Sequence, residues 1–118
     1  QVRFVPHLIP ASRGILATIH FRLPSNAGRA DVIDCWEKQY FGRKFVRVMV
    51  SGTPSTKLVQ GSNRCLLGVE VDARTGMATV VSAIDNLVRG ASGQAIQNMN
   101  LMFGLSEDDG LAACGVWP

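Results

Sequence analysis

The chain has 118 residues, enough for one domain with a single modest core, and its 47% hydrophobic and 18% charged content is that of a globular protein. No apolar run approaches the ~18 residues of a membrane span, and no charged-then-apolar leader opens the chain. The net charge of +3 comes from scattered basic residues with few aromatics among them, which argues against a nucleic-acid module and fits a small anionic ligand or a solvated basic surface.

Cys35, Cys65 and Cys114 are widely spaced and form no CxxC pair. This sets aside a disulfide scaffold and a Cys/His zinc site and makes a reducing compartment the expectation. The chain opens at Gln1 in the middle of what reads as a strand, so a fragment or a processed product is expected.

Residues 2–9 are β-prone but interrupted by Pro6, which predicts an edge strand or a bend. A turn follows at 10–14, where Pro10 sets φ and Gly14 tolerates a left-handed conformation. Residues 15–23 alternate: Ile15, Ala17, Ile19, Phe21 and Leu23 face one way and Leu16, Thr18, His20 and Arg22 the other, a half-buried antiparallel strand with one wetter face. Residues 29–41 read as an amphipathic helix with Ile33, Trp36 and Tyr40 inward and Gly42 as its stop. A short strand at 45–50 leads into a long polar loop, 51–63, whose length marks it as a candidate functional segment. Strands at 64–72 and 77–83 form a hairpin about the turn 73–76. A loose tail, 105–118, ends the chain.

Between them lies the most unusual stretch, a predicted helix over about 84–103 with Ser82 or Asp85 as N-cap and Gly104 as its end. Ile84, Leu87, Val88, Ala91, Ala95, Met99 and Met102 form an apolar stripe, while the opposite face carries Asn86, Gly90, Gly93 and Gln97. Each interior glycine costs about 0.8–1 kcal/mol relative to alanine, so the pair points to a close approach to the backbone. Tight packing on a second element and contact with a cofactor or partner domain both fit this pattern. The order β-β-α-β-β-β-α predicts a single α+β domain over 1–118, with a mixed, mostly antiparallel sheet and helices on one face.

The chemistry-bearing residues are sparse. None of the cysteines has a neighbouring glycine turn or basic partner to activate it, and His7 and His20 have no relay partner in sequence. No Gly-rich phosphate loop occurs. What loops could bring together is Arg13, Lys57, Ser62 and Asn63 beside the amide face of the long helix, a set suited to phosphate or carboxylate.

Four blocks resemble the C-terminal part of the N-acetyl-gamma-glutamyl-phosphate reductase family. They are Phe4-x-Pro6-His7-Leu8-x-Pro10-x-x-Arg13-Gly14-Ile15-Leu16-Ala17-Thr18, Phe45-Val46-Arg47-Val48, Pro54-x-Thr56-Lys57-x-Val59-x-Gly61-Ser62-Asn63-x-Cys65, and the most specific, Ala83-Ile84-Asp85-Asn86-Leu87-Val88-x-Gly90-Ala91-Ser92-Gly93-Gln94-Ala95-x-Gln97-Asn98-Met99-Asn100. The resemblance implies the C-terminal domain of a protein similar to glyceraldehyde-phosphate and aspartate-semialdehyde dehydrogenases. In such a protein the last long helix packs back on an N-terminal nucleotide-binding domain. It implies NADPH as cofactor, a small acyl phosphate as substrate, a homo-oligomer (dimer or tetramer) and a cytoplasmic enzyme of arginine biosynthesis (mitochondrial or plastid in a eukaryote), with no nucleic-acid or membrane partner.

By the same resemblance His7, Arg13, Lys57 and Ser62 are the expected substrate contacts, and Asn86, Gly90, Gly93 and Gln94 the expected cofactor contacts, with Gln94 matched to an amide that bonds the nicotinamide. The apolar stripe would then belong to the core and the Gly/amide face would meet the nucleotide domain. The nucleophilic cysteine and acid/base histidine of the family lie in contexts that no residue of this chain matches, so no catalytic residue is assigned and the chain alone is expected to be inactive. An aminoadipyl-phosphate reductase and a non-catalytic oligomerisation module are the alternatives.

Overall fold

A computed structural model describes residues 1–111, 114 and 115, so the predicted tail lies partly outside the described residues. The elements run β1 (Ile15–Arg22), α1 (Arg29–Gln39), β2 (Val46–Val48), a 3-10 turn (Thr56–Leu58), β3 (Cys65–Asp72), β4 (Met77–Ile84), a π-turn (Val88–Ser92) and α2 (Gly93–Met102). They form one four-stranded sheet in the order β1-β4-β3-β2. β4 pairs antiparallel with both β1 and β3, and β2 lies parallel to β3. The predicted α+β architecture with a mostly antiparallel sheet is the one observed.

The β3–β4 hairpin closes where expected. The Asp72 carboxylate accepts the Arg74 amide at 2.9 Å and the Thr75 hydroxyl at 2.9 Å, which turns the chain back on itself. The long loop has a topological cause that the sequence reading did not anticipate. A parallel pair cannot be joined by a tight turn and needs a crossover of a dozen or more residues, and 49–64 is that crossover between β2 and β3.

Alternation along the strands divides the core between two faces. On one, Val69, Ala78 and Val80 pack with Val32 and Ile33 of α1, with Leu23, Trp36, Val48 and Val71 at the margin. On the other, Leu66 and Ala83 pack with Val59 of the crossover.

Two expectations fail here. Residues 2–9 form no strand, and every one is exposed. Pro6 and Pro10 have no N–H for a ladder, so the apolar Val2, Phe4 and Leu8 are left in solvent. β1 pairs as predicted but is not half-buried: all eight residues are exposed, because α1 lies over β3 and β2. The row Ile15, Ala17, Ile19 and Phe21 therefore stays uncovered, with Ile19 50% exposed.

The total accessible surface is 8268 Å². A self-contained monomer of this mass exposes about 6,200 Å². The excess is the size of a substantial interface.

Candidate functional site

The predicted long helix is not one helix. Ile84 is the last residue of β4, and the chain turns at Asp85 before the π-turn and α2. Ser82 lies within β4, so it is no cap. Asp85 is: its Oδ1 accepts the amides of Leu87 at 2.8 Å and Val88 at 3.0 Å, two donors that have no helical carbonyl to bond. Strand end and helix start share one apolar spacing across Ile84, Leu87 and Val88, which is why periodicity merged them.

Asp85 is fully buried, and its second oxygen, Oδ2, reaches two other segments. It accepts the Gly61 amide at 2.7 Å from the crossover and pairs with Arg13 Nη2 at 2.6 Å. Burial pushes the Asp85 carboxyl up, but the amides of Gly61 and Val88, the Arg13 guanidinium and the Leu87 amide together hold it below its ordinary value. The stability it lends is therefore full above the ordinary carboxylate range and is lost as pH falls through the lowered folded value.

The next residue extends the same grip. Asn86 Oδ1 accepts the Gly14 amide at 2.6 Å, so Asp85-Asn86 holds Arg13-Gly14 side by side. Gly14 sits at φ +99°, and a Cβ there would come within 2.4 Å of Thr56 Cβ. Only glycine allows the turn to lie on the 3-10 turn that carries Lys57.

A second polar knot sits under α2. Asn63, fully buried, donates its Nδ2 to Gln97 Oε1 at 3.0 Å, and Arg89 Nη1 donates to the same oxygen. Gln97 Nε2 reaches Glu107 at 3.1 Å, and the buried Asn100 donates to the Asp109 carbonyl at 2.9 Å. Asn63 Oδ1 is buried with no hydrogen-bond partner among the described residues, and it faces Gly93. A Cβ at Gly93 would lie 2.5 Å from that oxygen and 2.7 Å from Val88 Cγ1, so the close approach this glycine permits is made by Asn63 and Val88 of the same chain.

This corrects the orientation expected for the helix. The Gly/amide side, Gly93, Gln97 and Asn100, is turned inward, and the apolar stripe is outside: Leu87, Ala91, Ala95, Met99 and Met102 are exposed together with Ile96 and Leu101. The amides can be buried because the crossover and the 106–109 loop supply them with partners. Nothing among the described residues covers the stripe.

The structure thus gathers Arg13, Ser62, Asn86 and Gly93 around Asp85 and Asn63, with Lys57 on the 3-10 turn whose Thr56 lies against Gly14, although Ser62 spends its hydroxyl on its own loop, donating to the Val59 carbonyl at 2.8 Å. His7 is not brought in; it is exposed, and its Nδ1 lies 3.1 Å from the Val5 carbonyl oxygen. Gly90 and Gln94 are exposed on the helical segment. His20 bonds Thr79 on the neighbouring strand, as a structural histidine does. The sequence reading missed Asp85 as a hub and Asn100 as a buried amide. The available signal was a lone carboxylate following the apolar strand 77–84. Among the described residues no cluster of His, Cys, Asp and Glu could hold a metal ion, and no helix is long and apolar enough to cross a membrane.

Comparison with known proteins identifies the family. Residues 1–86 match the family described as semialdehyde dehydrogenase, dimerisation domain. Similar proteins named N-acetyl-gamma-glutamyl-phosphate reductase include those of Pelotomaculum thermopropionicum, 51% identical over 118 residues, Symbiobacterium thermophilum, 52% identical over 119, and Geobacter sulfurreducens, 53% identical over 118. Each alignment takes in 99% of this chain and 34% of the relative, so the chain spans about a third of the length of the curated relatives it matches. With most of its residues matched, including the sheet, the chain belongs to the semialdehyde dehydrogenase dimerisation-domain family.

Proposed function

We propose that this chain is the C-terminal part of an N-acetyl-gamma-glutamyl-phosphate reductase, which converts N-acetyl-gamma-glutamyl phosphate to N-acetylglutamate 5-semialdehyde in the cytoplasm, in arginine biosynthesis. The observation that carries this reading is identity of about one residue in two along essentially the whole chain with relatives of that name. The relatives' name also favours the acetylglutamyl substrate over the aminoadipyl one.

In this reading the chain contributes binding and assembly. Arg13, held at the surface of the Asp85 hub, takes the phosphate or carboxylate of the acyl phosphate, with Lys57 on the adjacent turn. Gln94 is exposed, and its carboxamide has the donor and acceptor needed to bond the carboxamide of a nicotinamide, so the residues present fit NADPH. NADPH, when bound, supplies the hydride. Asn86 and Gly93 act at one remove, by fixing the Gly14 turn and the seat of α2. The uncovered stripe of α2 packs on a nucleotide-binding domain of the same protein, and the sheet meets a second copy, as the family's description implies.

The test is NADPH oxidation followed by absorbance with N-acetyl-gamma-glutamyl phosphate. The full-length protein should turn over and the 118-residue chain should not. Turnover by the chain alone, or a preference of the full-length protein for aminoadipyl phosphate, would overturn the reading.

A further inference from the structure

We propose that Asp85 is a positioning residue for Arg13: it grips the inward edge of the guanidinium and so presents the outward end to an anionic group of the substrate. This rests on the reading that Arg13 takes an anion. Both carboxylate oxygens of Asp85 are engaged, Oδ1 by the Leu87 and Val88 amides and Oδ2 by the Gly61 amide and Arg13 Nη2. Three of those four donors are backbone, so the carboxylate cannot turn, and whatever it holds is held in one orientation.

The contact is also one-sided. Arg13 Nη2 bonds Asp85, while Nε on the same edge is buried without a partner among the described residues. A purely structural Arg–carboxylate tie gains most by closing both bonds. Here Asp85 would keep three donors without Arg13. The Arg13 side chain is 31% exposed, so with Nε buried and Nη2 on Asp85 the fork still has surface open to an anion. The Asn86–Gly14 bond fixes the backbone beside it, and Gly14 itself lies against Thr56 of the turn bearing Lys57.

Charge and geometry predict opposite signs, which makes the idea testable. If Arg13 acted only as a positive charge, neutralising Asp85 would strengthen its attraction for anions. If orientation decides, neutralising Asp85 weakens it.

The experiment uses the full-length protein that contains this chain and inorganic phosphate as the probe, competing with the acyl phosphate, in Arg13→Ala, Asp85→Asn and Arg13→Lys. Arg13→Ala should raise the phosphate inhibition constant by about tenfold, the worth of a charge-assisted hydrogen bond, and Asp85→Asn should match it. Tighter or unchanged phosphate binding in Asp85→Asn, with the loss present in Arg13→Ala, would overturn the positioning role and leave the anion reading standing. An unchanged inhibition constant in Arg13→Ala would remove both.

Should Asp85→Asn not fold, Arg13→Lys decides. A lysine has one ammonium to spend on Asp85 and no second end to present, so it should lose as much as Arg13→Ala. Retention of wild-type phosphate affinity would overturn the proposal.

Discussion

Helix α1 turns Val32 and Ile33 onto the sheet and leaves Asp34, Glu37 and Lys38 in solvent. Helix α2, one residue shorter, turns Gly93, Gln97 and Asn100 inward and leaves Ile96, Met99 and Met102 in solvent. The first is the ordinary amphipathic bargain, in which apolar area leaves water and charge stays in it. The second inverts it. An inward amide face persists only because Asn63, Arg89, Glu107 and the Asp109 carbonyl pair with it, and an outward apolar face this long marks a surface built to be covered. Among the described residues α1 has its apolar side covered, whereas α2 has only its polar side satisfied.

The comparison would break first at α1. Ile33 is 8% exposed and packs with Val69, Ala78 and Val80, so Ile33→Ala removes core volume that the sheet cannot follow. A loss of about 2–4 kcal/mol is expected, read as a lowered urea midpoint with an unchanged slope. A loss near zero would mean that α1 is no more integral to this chain than the outer side of α2.

Gly93→Ala tests the inward side of α2 and comes next in size. Alanine would gain about 1 kcal/mol of helix propensity. Against that, the new methyl meets Asn63 Oδ1 at 2.5 Å and the Val88 carbonyl oxygen at 2.8 Å. The carbonyl is backbone and Asn63 is tied to Gln97, so neither yields cheaply. Overpacking of this kind costs about 1–3 kcal/mol, so a net loss of up to about 2 kcal/mol is expected in a thermal or urea melt of the chain. A rise in midpoint would show that Asn63 can swing away and that the amide knot is loose.

Much of the fold is legible in the residues themselves, and the two helices show where legibility stops. β3, β4 and α1 follow from local patterns, alternation about a turn and an apolar spacing that ends near Gly42, because their partners lie in the same chain. For α2 the sequence displays one polar and one apolar side and is silent on which is inward. That depends on whether the surface covering the apolar side belongs to these 118 residues. Residues 2–9 misled for the same reason: their β-propensity says nothing about whether a strand is available to pair with them. The Arg13–Asp85 pair spans 72 positions, and no local pattern links a turn arginine to a carboxylate that distant. The family blocks include both residues without saying that they touch.

The smallest expected effect lies on the outer side of α2, and it separates the two helices most sharply. Met102 is 83% exposed, so Met102→Ser in the 118-residue chain removes almost no buried surface and should move the stability by no more than about 0.5 kcal/mol. If α2 packs on a nucleotide-binding domain as proposed, the same side chain is buried in the full-length protein, where a buried methionine is worth roughly 1.5–3 kcal/mol. The measurement is the pair of urea midpoints, chain and full-length protein, each with and without the substitution. A small shift in the chain beside a large one in the full-length protein would mean that α2 is completed by the rest of its own protein. Equal small shifts in both would leave the stripe facing solvent in the full-length protein as well, and the idea that α2 is completed by the rest of its own protein would fail.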